Sequence, residues 1–352
     1  MGEPSKNYLS EAAPPPPPPP ALTSSLPQPE GEQSTSDRTK LILAAQPLAM
    51  SQDELISEVL ASVKRSLESR EINTTQSEAL TWVSVFHPVQ SLLQDGPMCG
   101  LVALSMAASK LAPAWLSDAS LDNTDARTFA LLAFARARRF SEHGEMLSAE
   151  WLASLAREYC GLQAQCCPAD VLSDPAGLVK QLCAGKLLLV PYDCYHNHTP
   201  FLATGHKAHW ALVTGVLQAH SVDCAMCMRP AQRSSCYSKD STTSDAAARH
   251  CVFADEDASS PVCSAATLET LPACTCTAGA AISPNQTYVL ARQGKSRYVG
   301  IWNLMELSAS NAQLTDFGSH PSKAGLNGTP FIEPEGSIRA GLCNKVVWLS
   351  SS

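Results

Sequence analysis

A cysteine becomes a nucleophile when a nearby base can take its proton and N–H donors can hold the charge that develops on the carbonyl it attacks. The segment Gln94-Asp95-Gly96-Pro97-Met98-Cys99-Gly100 has the parts for this. Gly96 and Pro97 set a turn, and the apolar run from Gly100 to Leu111 reads as a buried helix. Cys99 therefore stands at a helix start, where the dipole favours an anion and is expected to lower the thiol pKa. Gln94 supplies a side-chain amide that, with the Cys99 N–H, can face an oxyanion. Gly100, lacking a side chain, is expected to let a substrate backbone pass close to the sulfur.

The partner base has to come from elsewhere in the chain. His209 opens the apolar strand His209-Trp210-Ala211-Leu212-Val213-Thr214-Gly215 and is the candidate acid and base. A third group should hold its tautomer; Asn303, ending Tyr298-Val299-Gly300-Ile301-Trp302-Asn303, is the first choice and Asp316 the second. Each residue also has a plain structural reading. Cys99 alone reads as a small buried hydrophobe, His209 as a hydrogen-bonded core histidine and Asn303 as a turn former. Only the combination of turn, Gln, Cys, Gly and a distant strand-opening His points to acyl transfer.

The elements that must position these groups are legible in outline. Glu54 to Leu67 carries Leu55, Val59, Val63 and Leu67 at helical spacing, and Thr81 to Phe86 reads as a strand. Thr128 to Phe140 and Ala149 to Tyr159 read as helices, the second capped by Ser148. Leu187 to Pro191 and His209 to Leu217 read as strands, and Thr287 to Arg292 with Arg297 to Trp302 as a hairpin around Gly294-Lys295. Helices first and strands later predict an α+β fold. Two boundaries interrupt this pattern. Residues 1–50, with the run Pro14 to Pro20, have a disordered composition, leaving 51–352 as the folded domain. Residues 219–284, rich in Ser, Ala, Thr and Cys, show no periodicity and read as an insertion or mobile loop.

A net charge of -8 with no run of Lys or Arg argues against nucleic-acid or anionic-membrane binding. No basic-apolar leader, myristoylation signal or bilayer-length apolar run is visible, so a soluble, cytoplasmic protein is expected. Its fourteen cysteines should then be free thiols, and the sequons at Asn73, Asn197, Asn285 and Asn327 should carry no glycan.

Three motifs compete with this reading. Cys224-Ala-Met-Cys227, with Cys236, His250, Cys251, Cys263, Cys274 and Cys276, offers a zinc site, but only one pair has ligand spacing. His196, His198, His206 and His209 offer a metal-dependent hydrolase, but without a His-Glu-x-x-His motif and with no role for Gln94 to Gly100. Pro14 to Pro20 should adopt polyproline II, which aromatic grooves read; on this ground alone the chain reads as a non-catalytic scaffold.

Gln94 to Ala107, Gly205-His206-Lys207-Ala208-His209-Trp210-Ala211, Arg292 to Ser296 and Asn311 to Phe317 together resemble the actin maturation protease family, over roughly residues 85 to 345. More distantly, the Cys and His segments resemble papain-like peptidases. The resemblance implies a papain-like two-lobed fold, a helical lobe with the Cys and an antiparallel β lobe with the His. It implies a cysteine aminopeptidase that removes an acetylated first residue, Met or Cys, from actin, needing no cofactor. It also implies a cytoplasmic location and profilin as the reader of Pro14 to Pro20. Because actin begins with acidic residues, Arg292, Lys295, Arg297 or Arg339 is expected to face the chain beyond the cut. The Cys-rich insertion departs from the family, and the third site position is an amide here, not a carboxylate.

Overall fold

Ser51 starts the first helix with a reciprocal cap: its hydroxyl accepts from Glu54 N while the Glu54 carboxylate accepts from Ser51 N at 2.7 Å. This helix, α1 (Gln52–Glu68), buries Leu55, Val59 and Val63 on one face. The computed structural model describes residues 50–69, 80–112, 115, 124–221, 248–254, 262–266, 286–316 and 329–352, of which Ala49–Ser352 form one compact unit. Pro14 to Pro20 and most of the cysteine-rich segment lie outside the described residues.

After β1 (Leu80–Phe86) come α2 (Cys99–Leu111), α3 (Thr124–Ala137) and α4 (Ala149–Glu158). Ser148 caps α4 by accepting from Trp151 N. Then follow β2 (Gln163–Pro168), α5 (Pro175–Cys183), β3 (Leu187–Cys194), the two-residue β4 (Pro200–Phe201) and β5 (Ala208–Ser221). The segment 219–284, expected to be an insertion or a mobile loop, carries strands among its described residues: β5 runs into it, and β6 (Ala248–Ala254) and β7 (Val262–Ala266) extend the sheet past β1. Cys251 and Cys263 are register partners there. The chain closes with β8 (Thr287–Gln293), β9 (Ser296–Asn303), α6 (Leu304–Ala312), the short α7 (Ser337–Gly341) and β10 (Lys345–Ser350).

All strand pairs are antiparallel, in the order β2-β10-β3-β5-β1-β6-β7, with β8 on β5 and β9 on β8. The fold is α+β. Strand β5 is its spine, pairing β3 over its first half, β1 over its second and β8 between. Gly215 permits the handover: a Cβ there would lie 2.5 Å from Phe86 Cβ.

Successive strand residues face opposite ways, so the sheet divides the core. Leu187, Leu189, Trp210 and Leu212 pack with α2, α3 and α4, while Leu188, Val190, Ala211 and Val213 pack with α5 and α6. Leu101 and Leu104 of α2 are fully buried, each stabilising the fold by about 2 kcal/mol. Helix α1 packs with Trp82, Leu290 and Val299 in a third cluster. It is pinned by a bidentate ion pair, Arg292 to Glu58 at 2.9 and 2.6 Å, with Arg292 only 1% exposed. Removing either partner of such a pair costs roughly 3–5 kcal/mol.

Candidate active site

Helix α2 begins on Cys99 itself. Its N-cap residue, Met98, gives no side-chain hydrogen bond, and the first turn holds no acidic residue. The helix start therefore presents unsatisfied N–H groups and the positive end of its dipole with nothing from its own sequence to neutralise them. The backbone N–H groups of Trp210 and Gly100 act on the Cys99 sulfur in the direction that lowers its pKa. Trp210 is the residue after His209, so Cys99 lies near the strand position next to His209.

Close packing makes this contact. A Cβ on Gly100 would meet Met146 Cβ at 2.7 Å and Trp210 Cδ1 at 3.0 Å. The Trp210 indole N–H is fixed by the Met146 carbonyl at 2.7 Å. Gly100 is thus small to admit Met146 and Trp210, not a passing substrate, which corrects the sequence expectation. The same burial overturns the expected acidity of Cys99. Desolvation outweighs the two N–H donors and pushes the thiol up to about 11.

His209 is 6% exposed and sits opposite Tyr192 of β3, the rings 5.9 Å apart edge to face. Burial first, then the Lys295 ammonium, lowers its pKa to about 4; a hydrogen bond with the Gln293 side chain acts the other way. Its Nε2 is buried without a hydrogen-bond partner among the described residues. At neutral pH Cys99 is therefore a thiol and His209 a neutral imidazole.

The loop leading into His209 is tied down by one carboxylate. Asp193, fully buried at the end of β3, accepts from Ala203 N, Gly205 N and Lys207 N at 3.0, 2.6 and 2.9 Å, and from Gln313 Nε2 at 2.6 Å. Four donors on one carboxylate fix the entry to β5.

Gln94 reaches the site differently from expectation. Its Nε2 donates to Gly96 O at 2.7 Å, its backbone N–H donates to Gly294 O at 2.7 Å, and Oε1 is buried without a partner among the described residues. One amide hydrogen is thus committed within its own turn, leaving the other for an oxyanion.

Asn303 is not brought to the imidazole. Its Oδ1 caps α6, accepting from Met305 N at 2.9 Å and Glu306 N at 3.4 Å. It pairs with Tyr288, which pairs with Leu217, at the far end of β5 from His209 and roughly 25 Å away at about 3.3 Å per residue. A strand-ending Asn followed by a helix is a cap, and that local role wins. Asp316 is exposed and lies 3.8 Å from His206, its backbone N–H on Thr204 O. It meets the loop before the catalytic strand through His206. The group that touches the ring is Gln293, which the sequence reading passed over as part of a turn.

The remaining candidates separate. Arg292 is spent on Glu58 and the Arg297 carbonyl, so it cannot face a substrate. Lys295 is exposed at the turn and acts electrostatically on Cys99, Cys194, His198 and His209. Arg297 is exposed over the Tyr298 ring, and Arg339 is exposed on α7. His196 meets the Tyr195 ring edge to face at 4.7 Å, and among the described residues no group of three or more His, Cys, Asp or Glu is arranged to hold a metal ion. No helix among them is long and apolar enough to cross a membrane.

A helix that starts on a buried thiol, packed on an antiparallel sheet whose central strand carries His209, is the arrangement to set against known proteins. The profile of the actin maturation protease-like C-terminal domain matches residues 89–217, a span that includes Gln94, Cys99 and His209. The chain is 33% identical to the human actin maturation protease over 77% of its own length and 66% of the relative's. It is 31% identical to the zebrafish (Danio rerio) protein over 78% of its length and 77% of the relative's, and 32% identical to the bovine (Bos taurus) one over 77% and 67%. It thus spans about two thirds to three quarters of these relatives. No solved structure matches it. The chain belongs to the actin maturation protease family.

Proposed function

We propose that this chain is a cysteine-type aminopeptidase of papain-like architecture that removes an N-acetylated first residue, Met or Cys, from actin. One observation supports the reading: Cys99 lies at an uncapped helix start, the backbone N–H of Trp210, next to His209, acts to lower its pKa, and His209 Nε2 is buried without a hydrogen-bond partner among the described residues. As Cys99 Sγ bonds to the carbonyl carbon of the acetylated residue, His209 takes the thiol proton. The Cys99 N–H and the second hydrogen of Gln94 Nε2 hold the oxyanion. The C–N bond breaks as His209 returns the proton to the departing nitrogen, giving actin a new amine. Water, deprotonated by His209, then cleaves the thioester, releasing the acetylated amino acid and the thiol.

An acetylated terminus carries no charge, so the site needs no carboxylate to receive it. Lys295 and Arg297, both exposed on the β8–β9 hairpin, complement an acidic segment beyond the cut. Pro14 to Pro20 serve as a polyproline II ligand for profilin, raising the local concentration of profilin-bound actin in the cytoplasm.

Intact-mass analysis tests the reaction. Actin incubated with the wild-type chain should lose the mass of one acetylated residue, and actin incubated with Cys99→Ala should not. The same loss with the variant would refute Cys99 as nucleophile.

A further inference from the structure

The β8–β9 turn touches both halves of the site at once. On β8, Gln293 pairs with Ala211, two positions from His209 on the same face of β5, which makes it a diagonal neighbour of the imidazole. It is 3% exposed, bonds the His209 ring, and has its Oε1 held by Lys295 N at 2.6 Å. One residue on, Gly294 O accepts the Gln94 backbone N–H, and a Cβ on Gly294 would lie 2.6 Å from Gln94 Oε1. One residue back, Arg292 ties the strand to α1 through Glu58.

Resting on the mechanism above, we infer that Gln293 is the positioning residue that sets the orientation and tautomer of His209, in the place sequence reasoning gave to Asn303. The neighbouring Gly294 holds Gln94, so one turn aligns the base and the oxyanion donor together. Gln293, Gly294 and Glu58 all lie outside residues 89–217, so the matched domain is not the whole catalytic unit. A ring N–H donating to the same Gln293 oxygen that Lys295 N holds would leave the opposite ring nitrogen unprotonated and free to accept the thiol proton. The other titratable neighbours of the ring are Lys295 on the same turn, His198 from the β3–β4 connection and Tyr192 on β3.

The test is steady-state cleavage, by the full chain, of an acidic peptide beginning with acetyl-Met, measured across pH for Gln293→Ala and the near-isosteric Gln293→Glu. Gln293→Ala should lower kcat about 10²-fold, the scale of general-base catalysis, with KM within about three-fold. Gln293→Glu should recover part of kcat and move the acidic limb of kcat/KM to higher pH, because a carboxylate beside the ring favours its protonated form. Gln293→Ala turning over at the wild-type kcat, or a Gln293→Glu acidic limb that coincides with the wild type's, overturns the assignment. Cys99→Ala is run alongside. Turnover lost there but kept in Gln293→Ala condemns Gln293 alone, whereas turnover kept in Cys99→Ala condemns the nucleophile and this inference with it.

Discussion

Two thiols, Cys99 and Cys160, are both buried at helix ends, and their surroundings differ. Cys160 follows the C-terminus of α4, the carbonyl end, and burial alone pushes it up to about 12. Cys99 starts α2, and two backbone N–H groups hold it back to about 11 against the same desolvation. The difference between the ends is modest in acidity and large in surroundings. A buried thiol is made useful by donors on its sulfur and a base one residue from those donors; position on a helix does not suffice.

The widest separation expected between the two is in turnover. Cys99→Ala should abolish cleavage of the acetyl-Met peptide, by about 10⁴-fold or more, while Cys160→Ala should stay within about two-fold; comparable losses from both would erase the contrast. Acid comes next, through a matching pair of imidazoles. His87, bonded to Leu182 O at 2.8 Å, and His209 are both held to a pKa of about 4 by burial, against 6.5 when unfolded. The unfolded chain binds more protons between those values, so stability present above about pH 6.5 is lost as pH falls toward 4, up to roughly 3 kcal/mol per histidine. Denaturant melts of wild type and His87→Gln from pH 7 to 4 should show about half the slope surviving in the variant; an unchanged slope would remove His87 from the account. Smallest is the difference in alkylation. At equal pH Cys99 should carry about ten times the thiolate of Cys160, and mass-mapped iodoacetamide labelling of the native chain should find Cys99 modified first.

Much of this was legible in the sequence where local chemistry is self-contained. The capped start of α1, the Cys99 helix, the Ser148 cap and the apolar β5 each carry their signal within a few residues. What the sequence hid depends on partners. Gln163–Pro168 does not look like a strand until it pairs with β10, and β6 and β7 lie in a segment whose composition suggests a loop. Asn303 and Gln293 were confused for the same reason: an antiparallel hairpin puts one end of each strand beside His209 and the other far away, and only the register says which. The acidity of Cys99 was misread because a helix dipole is visible in sequence whereas desolvation is not.

The pairing of Gln218 with Thr287 has a further consequence. The two chain segments run side by side here, three residues before β5 ends at Ser221, and the excursion through β6 and β7 follows on the far side of β1. Closing such an excursion becomes only about 0.6 kcal/mol harder each time its length doubles. New sequence placed between β5 and β8, and not within β6, which pairs with β1, leaves undisturbed the β5–β8 register that keeps Gln293 in line with His209.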